Sequence, residues 1–165
     1  TYLKTGADKS KSTSLGPMSE VVHNSLSFMT DDDLQAMAEY LKALPASSAM
    51  SPDHQPDKTL AAGATTYVDN CSACHQAQGS GIPGVFPALA GNGVVLAADA
   101  NDILKVVLFG IPVQDGYIAM PGFGDKLSDQ QIADLANYLR SSWGNGAAVN
   151  ATAAQVAALR KLPVE

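Results

Sequence analysis

Two cysteines and a histidine stand together in the run Cys71-Ser72-Ala73-Cys74-His75. Two thiols at this spacing can each add to one vinyl group of a porphyrin, and the histidine that follows can then ligate the iron from one side. The sequence therefore predicts one covalently attached haem c, with Cys71 and Cys74 as thioether links and His75 as an iron ligand.

Two other kinds of site use cysteines at this spacing. A thioredoxin-like redox pair is expected in a βαβ setting, which the sequence does not predict. A structural zinc site needs four ligands, and beyond the cluster the chain offers only His23 and His54, whose polar surroundings favour surface positions. Since the chain has two cysteines in all, haem attachment leaves none for a disulfide.

The second axial ligand is predicted at Met120, in the run Ala-Met-Pro-Gly-Phe of residues 119–123. A turn can aim the thioether inward there, while Pro121 limits the freedom of the backbone. Haems that carry electrons often have histidine and methionine ligands. A methionine that fills a gap in the core is the alternative, but the predicted core faces lie on the flanking helices rather than in this loop.

The elements that must position these residues are predicted to be helices. Apolar residues recur at helical spacing over 60–70, 100–108 and 128–142, and an alanine-rich run at 153–161 predicts a further short helix. Residues 79–93 are rich in Gly and Pro and are predicted to be a loop. No segment alternates convincingly as a strand. We therefore expect an all-α fold with long loops.

Composition narrows the classes of partner. With 165 residues, 46% of them hydrophobic, the chain can bury one ordinary core and a smaller one. A net charge of −6, to which haem propionates would add, argues against nucleic acid or an anionic membrane as the main partner. The apolar runs at 94–98 and 103–113 are too short to cross a bilayer, which takes roughly 20 residues. Any membrane association is therefore expected through parts outside this chain.

Breaker residues divide the chain into four predicted parts. A linker is predicted at 47–56, which is poor in apolar residues and contains Ser47, Ser48, Ser51, Pro52 and Pro56. The haem domain is predicted at 57–146, where a Gly-Asn-Gly run ends it. Residues 147–165 are predicted to be a tail with a short helix, and residues 1–46 form a separate N-terminal part.

This N-terminal part contains an internal repeat of the haem domain. Residues 30–42 align without gaps on residues 128–140, and each copy begins with a hydroxyl N-cap and a polar residue three positions later, Asp33 after Thr30 and Gln131 after Ser128. The alternative interpretation is two unrelated amphipathic helices, because capped helices of this kind are common.

Two further correspondences favour the repeat. A methionine lies beside a proline in each copy, at Met18 and at Met120, and a glycine closes an apolar stretch upstream, at Gly6 and at Gly110. Residues 1–46 are therefore predicted to be the back half of a second, similar domain that carries no haem in this chain.

Residues 57–146 resemble a class I cytochrome c domain. More closely, they resemble the third domain of the three-haem cytochrome c subunit of membrane-bound bacterial dehydrogenases for alcohols, aldehydes or sugar acids such as gluconate. The resemblance rests on the Cys-Ser-Ala-Cys-His run, residues 79–92, residues 119–123, and residues 134–140 with Trp143. Residues 16–22 are similar to the end of that subunit's second haem domain. Three such cysteine runs are expected in the subunit, and this chain has one.

The resemblance implies further roles for residues around the iron. Pro87 stands where the family has a proline whose carbonyl accepts a hydrogen bond from the iron-bound histidine, although a proline here can also simply bend a loop. Met18 corresponds to an axial ligand without its iron. Apolar loop residues are expected to wall the haem, namely Ile82, Val85, Phe86 and Leu89. Two polar residues are expected either near the propionates or at the surface, Tyr117 and Arg140.

The predicted function is electron transfer rather than catalysis. The resemblance implies that electrons come from a dehydrogenase subunit and sister haem domains and pass to ubiquinone or another respiratory acceptor, at the periplasmic face of the bacterial inner membrane. One alternative is a haem enzyme of the peroxidase type, in which the distal iron position is open. Another is a small free cytochrome that donates electrons to a terminal oxidase.

Overall fold

The computed structural model describes residues 2–8, 12–14, 17–45, 58–113 and 118–162. The predicted linker at 47–56 lies outside the described residues, as do His54 and Tyr117. The elements in the described ranges are helices α1 Tyr2–Thr5, α2 Pro17–Asn24, α3 Asp31–Ala43, α4 Lys58–Asn70, α5 Ser72–His75, α6 Asn101–Phe109, α7 Asp129–Ser141 and α8 Ala153–Leu159, a 3₁₀ turn Leu26–Phe28, and strands β1 Ala7–Asp8 and β2 Ser12–Thr13.

The predicted all-α fold is confirmed. Helices α4, α6, α7 and α8 begin and end within two residues of the predicted bounds, and residues 79–93 form a loop. The strands β1 and β2 were not predicted; they form a two-residue antiparallel pair in which Ala7 faces Thr13. Two-residue strands carry too little alternation to be recognised in a sequence.

Helix α7 is the centre of the haem domain. It begins with a complete capping box, in which Ser128 Oγ accepts from the Gln131 backbone N–H and the Gln131 side chain accepts from the Ser128 N–H. The apolar face predicted from periodicity is buried, and burial extends to Asp134 and Asn137, because α4, α6 and α8 all pack on this helix. Such wide burial fixes the position of α7 in the domain.

Helices α4 and α7 cross in close contact at Gly63. A Cβ atom at Gly63 would lie 2.7 Å from the Cβ of Tyr138, so only glycine fits at the crossing. Beside it, Tyr67 of α4 packs against Tyr138 and Trp143, with ring centroids 5.7 and 4.9 Å from its own. Aromatic contacts at these distances stabilise the helix pair beyond simple burial. The crossing therefore fixes the end of α4, from which the cysteine run follows.

Helix α8 packs on the same hydrophobic core. Val156 is fully buried in that core, and Ala151 beside it accepts and donates backbone hydrogen bonds with the Asn137 amide at 2.9 and 3.0 Å. The short helix predicted in the tail is thus present. The predicted domain boundary at residue 146 stays a prediction, although Ala151 and Val156 beyond it pack on the core of the haem domain.

A second, smaller hydrophobic cluster lies in the N-terminal part. Val22, Leu26 and Leu34 are its buried members. Helix α3 begins as α7 does, with Thr30 Oγ1 accepting from the Asp33 N–H at 3.2 Å, and Gly6 and Gly110 have φ angles of 75° and 78°. These features agree with the predicted repeat, while the identity of residues 1–46 as a partial cytochrome domain stays a prediction. No helix in the described ranges is both long and apolar enough to cross a lipid bilayer.

Candidate haem site

The cysteine run continues directly from α4. The Cys71 N–H donates to the Tyr67 carbonyl at 2.8 Å, and the His75 N–H donates to the Cys71 carbonyl at 2.9 Å, so the run forms one further helical turn, α5. Cys71 is half-buried and Cys74 is exposed, whereas His75 is buried. Both thiols and the imidazole therefore lie on one short, hydrogen-bonded turn.

The ring of His75 is held by the main chain of the following loop. Its Nδ1 atom lies 2.9 Å from the Pro87 carbonyl oxygen. Because a carbonyl can only accept, the proton belongs on Nδ1, and Nε2 is left with the lone pair that a metal requires. The contact implied by the resemblance is thus present, and its effect on the iron stays a prediction.

The loop that carries Met120 is tied to the end of α6. Met120 and Ile111 exchange two backbone hydrogen bonds, each 2.9 Å long, and the Phe123 N–H donates to the Val107 carbonyl at 2.8 Å. These bonds hold the main chain at Met120 itself and three residues after it. The position of Met120 therefore depends on where α6 ends as well as on Pro121.

His75 and Met120 line the same apolar cavity. The cavity has a volume of about 700 Å³ when its open mouth is included, and Cys71 and Cys74 also line it. A neighbouring cavity is again bordered by both His75 and Met120. The apolar lining of the first cavity includes Phe86, Ile111, Pro112, Ile118 and Phe123. A large apolar ring with an iron centre needs such walls, one nitrogen donor and one sulfur donor, so these residues fit a haem.

Burial determines the ionisation of the donor groups. Burial lowers the pKa of His75, and the Pro87 hydrogen bond opposes this effect, so the neutral imidazole that ligates metals is favoured. Burial, helped by the neighbouring Cys74, raises the pKa of the Cys71 thiol to about 11. Before haem is attached, the site thus favours an uncharged His75 and a protonated Cys71 thiol.

The expected wall of loop residues is only partly found. Phe86 lines the first cavity and Leu89 lines the second, but Ile82 and Val85 line neither. Ile111 and Ile118 also line the first cavity, which the sequence analysis did not predict. Ile111 is brought there by its backbone pairing with Met120, for which the sequence carries no visible signal.

Arg140 was expected either near the haem propionates or at the surface, and both expectations were wrong. Its side chain is fully buried, and its guanidinium donates to the carbonyl oxygens of Val95, Ala97, Ala98, Asp99 and Ala148 at 2.7 to 3.4 Å. These five bonds use the donor capacity of the guanidinium. Arg140 therefore fastens residues 95–99 to α7 and is available neither to haem propionates nor to solvent.

The domain is helical and places an imidazole, a thioether and two cysteines around one apolar cavity, an arrangement that fits a covalent haem. A family profile described as Cytochrome c matches residues 60–143. The cytochrome c subunit of the quinone alcohol dehydrogenase of Gluconobacter oxydans is 39% identical over 175 residues, which cover 97% of this chain and 36% of that protein. The cytochrome c subunit of the gluconate 2-dehydrogenase of Pantoea cypripedii is 41% identical over 162 residues, covering 88% and 37%.

Cytochrome c-552 of Thermus thermophilus is 35% identical over 110 residues, covering 59% of this chain and 83% of that protein. The chain belongs to the cytochrome c family, so its domain carries covalent haem c and transfers electrons through it. The resemblance stated from the sequence is thereby confirmed. The chain spans little more than a third of the length of the dehydrogenase subunits it matches.

Proposed function

We propose that this chain is part of a cytochrome subunit that passes single electrons from a membrane-associated dehydrogenase to ubiquinone or another respiratory acceptor, using iron held by His75 and Met120. The chain itself performs no substrate chemistry. The observation that carries the proposal is that His75 and Met120 border the same two cavities, in a domain whose cysteines also line the larger one.

Each residue has a defined task in this proposal. The haem supplies an iron that changes between Fe(III) and Fe(II). His75 offers Nε2, while the Pro87 carbonyl retains the proton on Nδ1. The soft thioether of Met120 would favour Fe(II) and would fill the position that an enzyme leaves open to a substrate. Cys71 and Cys74 hold the cofactor covalently.

The cavity mouth gives a route for electrons. Ile118 lines the cavity and is 59% exposed, so the wall of the haem site reaches the protein surface there. A redox group of a partner can approach at such a point without opening the iron to small molecules. A dehydrogenase and sister haem domains are proposed as donors because the dehydrogenase relatives are named as cytochrome subunits of such enzymes. The periplasmic face of the inner membrane is the proposed location.

Haem content and iron ligation test the proposal directly. Pyridine haemochrome analysis of the chain matured with competent haem-attachment machinery should give one haem per chain. The Cys71→Ala/Cys74→Ala variant should lose covalent haem entirely. The ferric protein should show the methionine-to-iron charge-transfer band. Ready binding of cyanide or carbon monoxide to the native protein would instead favour a haem enzyme.

The dehydrogenase partnership needs the full-length subunit. In membranes that contain it, addition of an alcohol or of gluconate should reduce its haems before quinone is reduced. If the haems stay oxidised with every such substrate, but the chemically reduced subunit is reoxidised by a terminal oxidase, the free cytochrome is favoured.

A further inference from the structure

The residue that follows the proposed iron ligand has an unusual backbone conformation. Gln76 has a φ angle of 64° and a ψ angle of 159°. Residues other than glycine rarely adopt this region, because their Cβ meets the backbone there. Such a conformation persists only where its surroundings hold it. The contacts of Gln76 should therefore show what maintains the turn after His75.

The backbone carbonyl of Gln76 accepts a hydrogen bond from a buried tyrosine hydroxyl. The Tyr67 O–H donates to the Gln76 carbonyl at 2.5 Å, and the Gly79 N–H donates to the same carbonyl at 3.1 Å. Tyr67 is 1% exposed, so its hydroxyl is shielded from water. Burial also raises the pKa of Tyr67 far above its usual range, so the hydroxyl keeps its proton. The bond thus links α4 to the turn.

Tyr67 holds both ends of the haem-binding run. Its main-chain carbonyl accepts from the Cys71 N–H at 2.8 Å, while its hydroxyl reaches the carbonyl of Gln76 on the far side of His75. The ring itself is fixed by Trp143, whose ring centroid lies 4.9 Å away. Tyr67 therefore makes hydrogen bonds on both sides of residues 71–75, one through its main chain and one through its side chain.

The turn at Gln76 also controls the acceptor of the His75 ring. After the turn, the Gly81 N–H donates to the His75 carbonyl at 3.0 Å. A Cβ atom at Gly81 would lie 2.6 Å from the Pro87 carbonyl carbon and oxygen, so the two backbones are in direct contact. The same Pro87 oxygen accepts from His75 Nδ1. A change at Gln76 would therefore move both the main chain and the hydrogen-bond partner of His75.

We propose that Tyr67 is a positioning residue for His75: its hydroxyl holds the Gln76 peptide in a strained conformation and so sets the orientation and hydrogen bond of the imidazole. The inference rests on the proposed function, in which His75 ligates the iron. Without the hydroxyl, Gln76 is expected to relax toward an ordinary backbone conformation, and the bond from His75 to Pro87 to lengthen.

The test compares Tyr67→Phe with Tyr138→Phe, which removes a hydroxyl from the neighbouring ring of the same aromatic cluster. In the ferric, haem-loaded protein, the hyperfine-shifted haem methyl and histidine proton resonances report the orientation of the imidazole. Tyr67→Phe should change this pattern and raise the midpoint potential, since a weaker bond to Pro87 makes the imidazole a poorer donor to Fe(III). Tyr138→Phe should leave both unchanged.

Rescue by glycine separates positioning from packing. The Tyr67→Phe/Gln76→Gly variant should recover the wild-type resonance pattern, because glycine adopts the turn without help from the hydroxyl. Tyr67→Phe/Gln76→Ala should not recover it, since alanine is strained there as glutamine is.

Two results would overturn the proposal in different ways. If the wild type shows histidine ligation and Tyr67→Phe alters only the thermal midpoint, Tyr67 merely packs and the positioning role is wrong. If the wild type shows no histidine ligation, the proposed function fails first and the positioning role fails with it.

Discussion

Helices α3 and α7 have matching sequences but different surroundings. Both begin at a hydroxyl N-cap whose oxygen accepts from the N–H three residues on, and both run for 13 residues. Helix α3 buries Leu34 alone, whereas α7 buries most of its length against α4, α6 and α8. Local sequence thus determines the helix, and the packing partners determine whether a core and a site form beside it.

The difference is clearest at aligned positions. Lys42 of α3 is exposed where Arg140 of α7 is fully buried, and Leu41 is 52% exposed where Leu139 is 3% exposed. Upstream, Met18 is 42% exposed, while Met120 lines two cavities with His75. Met120 therefore shares a cavity with the cysteine run, whereas Met18 lies largely at the surface.

Substitution of Met120 and of Met18 should give the largest difference, which appears in the midpoint potential of the haem. Met120→Ala should leave the haem covalently attached through Cys71 and Cys74, abolish the methionine-to-iron band and open the iron to cyanide. Loss of the soft ligand that favours Fe(II) should lower the midpoint potential by an amount on the order of 0.1 V, within the roughly 0.8 V range that axial ligands control. Spectroelectrochemistry measures the shift.

Met18→Ala is the matched control, since it removes the methionine of the other copy. Its spectrum and potential should equal those of the wild type. An unchanged potential in Met120→Ala would remove Met120 from the iron, and a shifted potential in Met18→Ala would show that the N-terminal part influences the haem.

The basic pair should give the next largest effect, on stability. Arg140→Met leaves the five carbonyls that accept from the guanidinium without their donor. Because a buried acceptor left unsatisfied costs about 1–3 kcal/mol, the free energy of unfolding should fall by about 3–5 kcal/mol if some of the five find water instead. Lys42→Met changes an exposed side chain and should shift the free energy by about 0.5 kcal/mol or less. Denaturant titration of the haem-loaded proteins, followed by circular dichroism, compares the two. Equal shifts would contradict the assigned role of Arg140.

The helices and the cysteine run could be predicted because their signals are local. Hydrophobic periodicity and capping residues predict α4, α6, α7 and α8. The spacing of Cys71, Cys74 and His75 predicts covalent attachment of haem. The carbonyl partners of Arg140 could not be predicted, since residues 95–99 and 148 meet it only after folding. Arg140 was expected near the haem propionates or at the surface because its charge is costly to bury, and here five hydrogen bonds offset that cost.

The turn at Gln76 was missed for a similar reason. A glutamine gives no sign that it adopts a conformation typical of glycine, and the hydroxyl of Tyr67 reaches it from nine residues away. The lining of the cavity by Ile111 likewise depends on the pairing of two loop segments at Ile111 and Met120, which residue types alone do not specify.

The leucine pair should give a smaller loss than the arginine. Leu139→Ala removes a buried side chain from the main core and should cost about 2–4 kcal/mol, partly through the cavity that remains. Leu41→Ala removes a half-exposed one and should cost less than about 1 kcal/mol. Thermal unfolding monitored at the haem Soret band measures the loss in Leu139→Ala, and far-ultraviolet circular dichroism measures the loss in Leu41→Ala. If Leu41→Ala were as unstable as Leu139→Ala, the Leu41 side chain would have to be buried in solution, contrary to its exposure in the structure.

The N-caps should give the smallest effect and test whether the two clusters unfold separately. Ser128→Ala removes the acceptor for the Gln131 N–H and should lower the stability of the haem domain by about 1 kcal/mol, seen as an earlier loss of the Soret signal in denaturant. Thr30→Ala removes the equivalent acceptor from α3, at a similar local cost. Because Thr30 caps a helix whose buried residue belongs to the smaller cluster, its loss should appear in far-ultraviolet circular dichroism and leave the Soret transition in place. If Thr30→Ala moved the Soret transition as far as Ser128→Ala does, the two clusters would unfold as one cooperative unit, and the contrast between α3 and α7 would be one of burial alone.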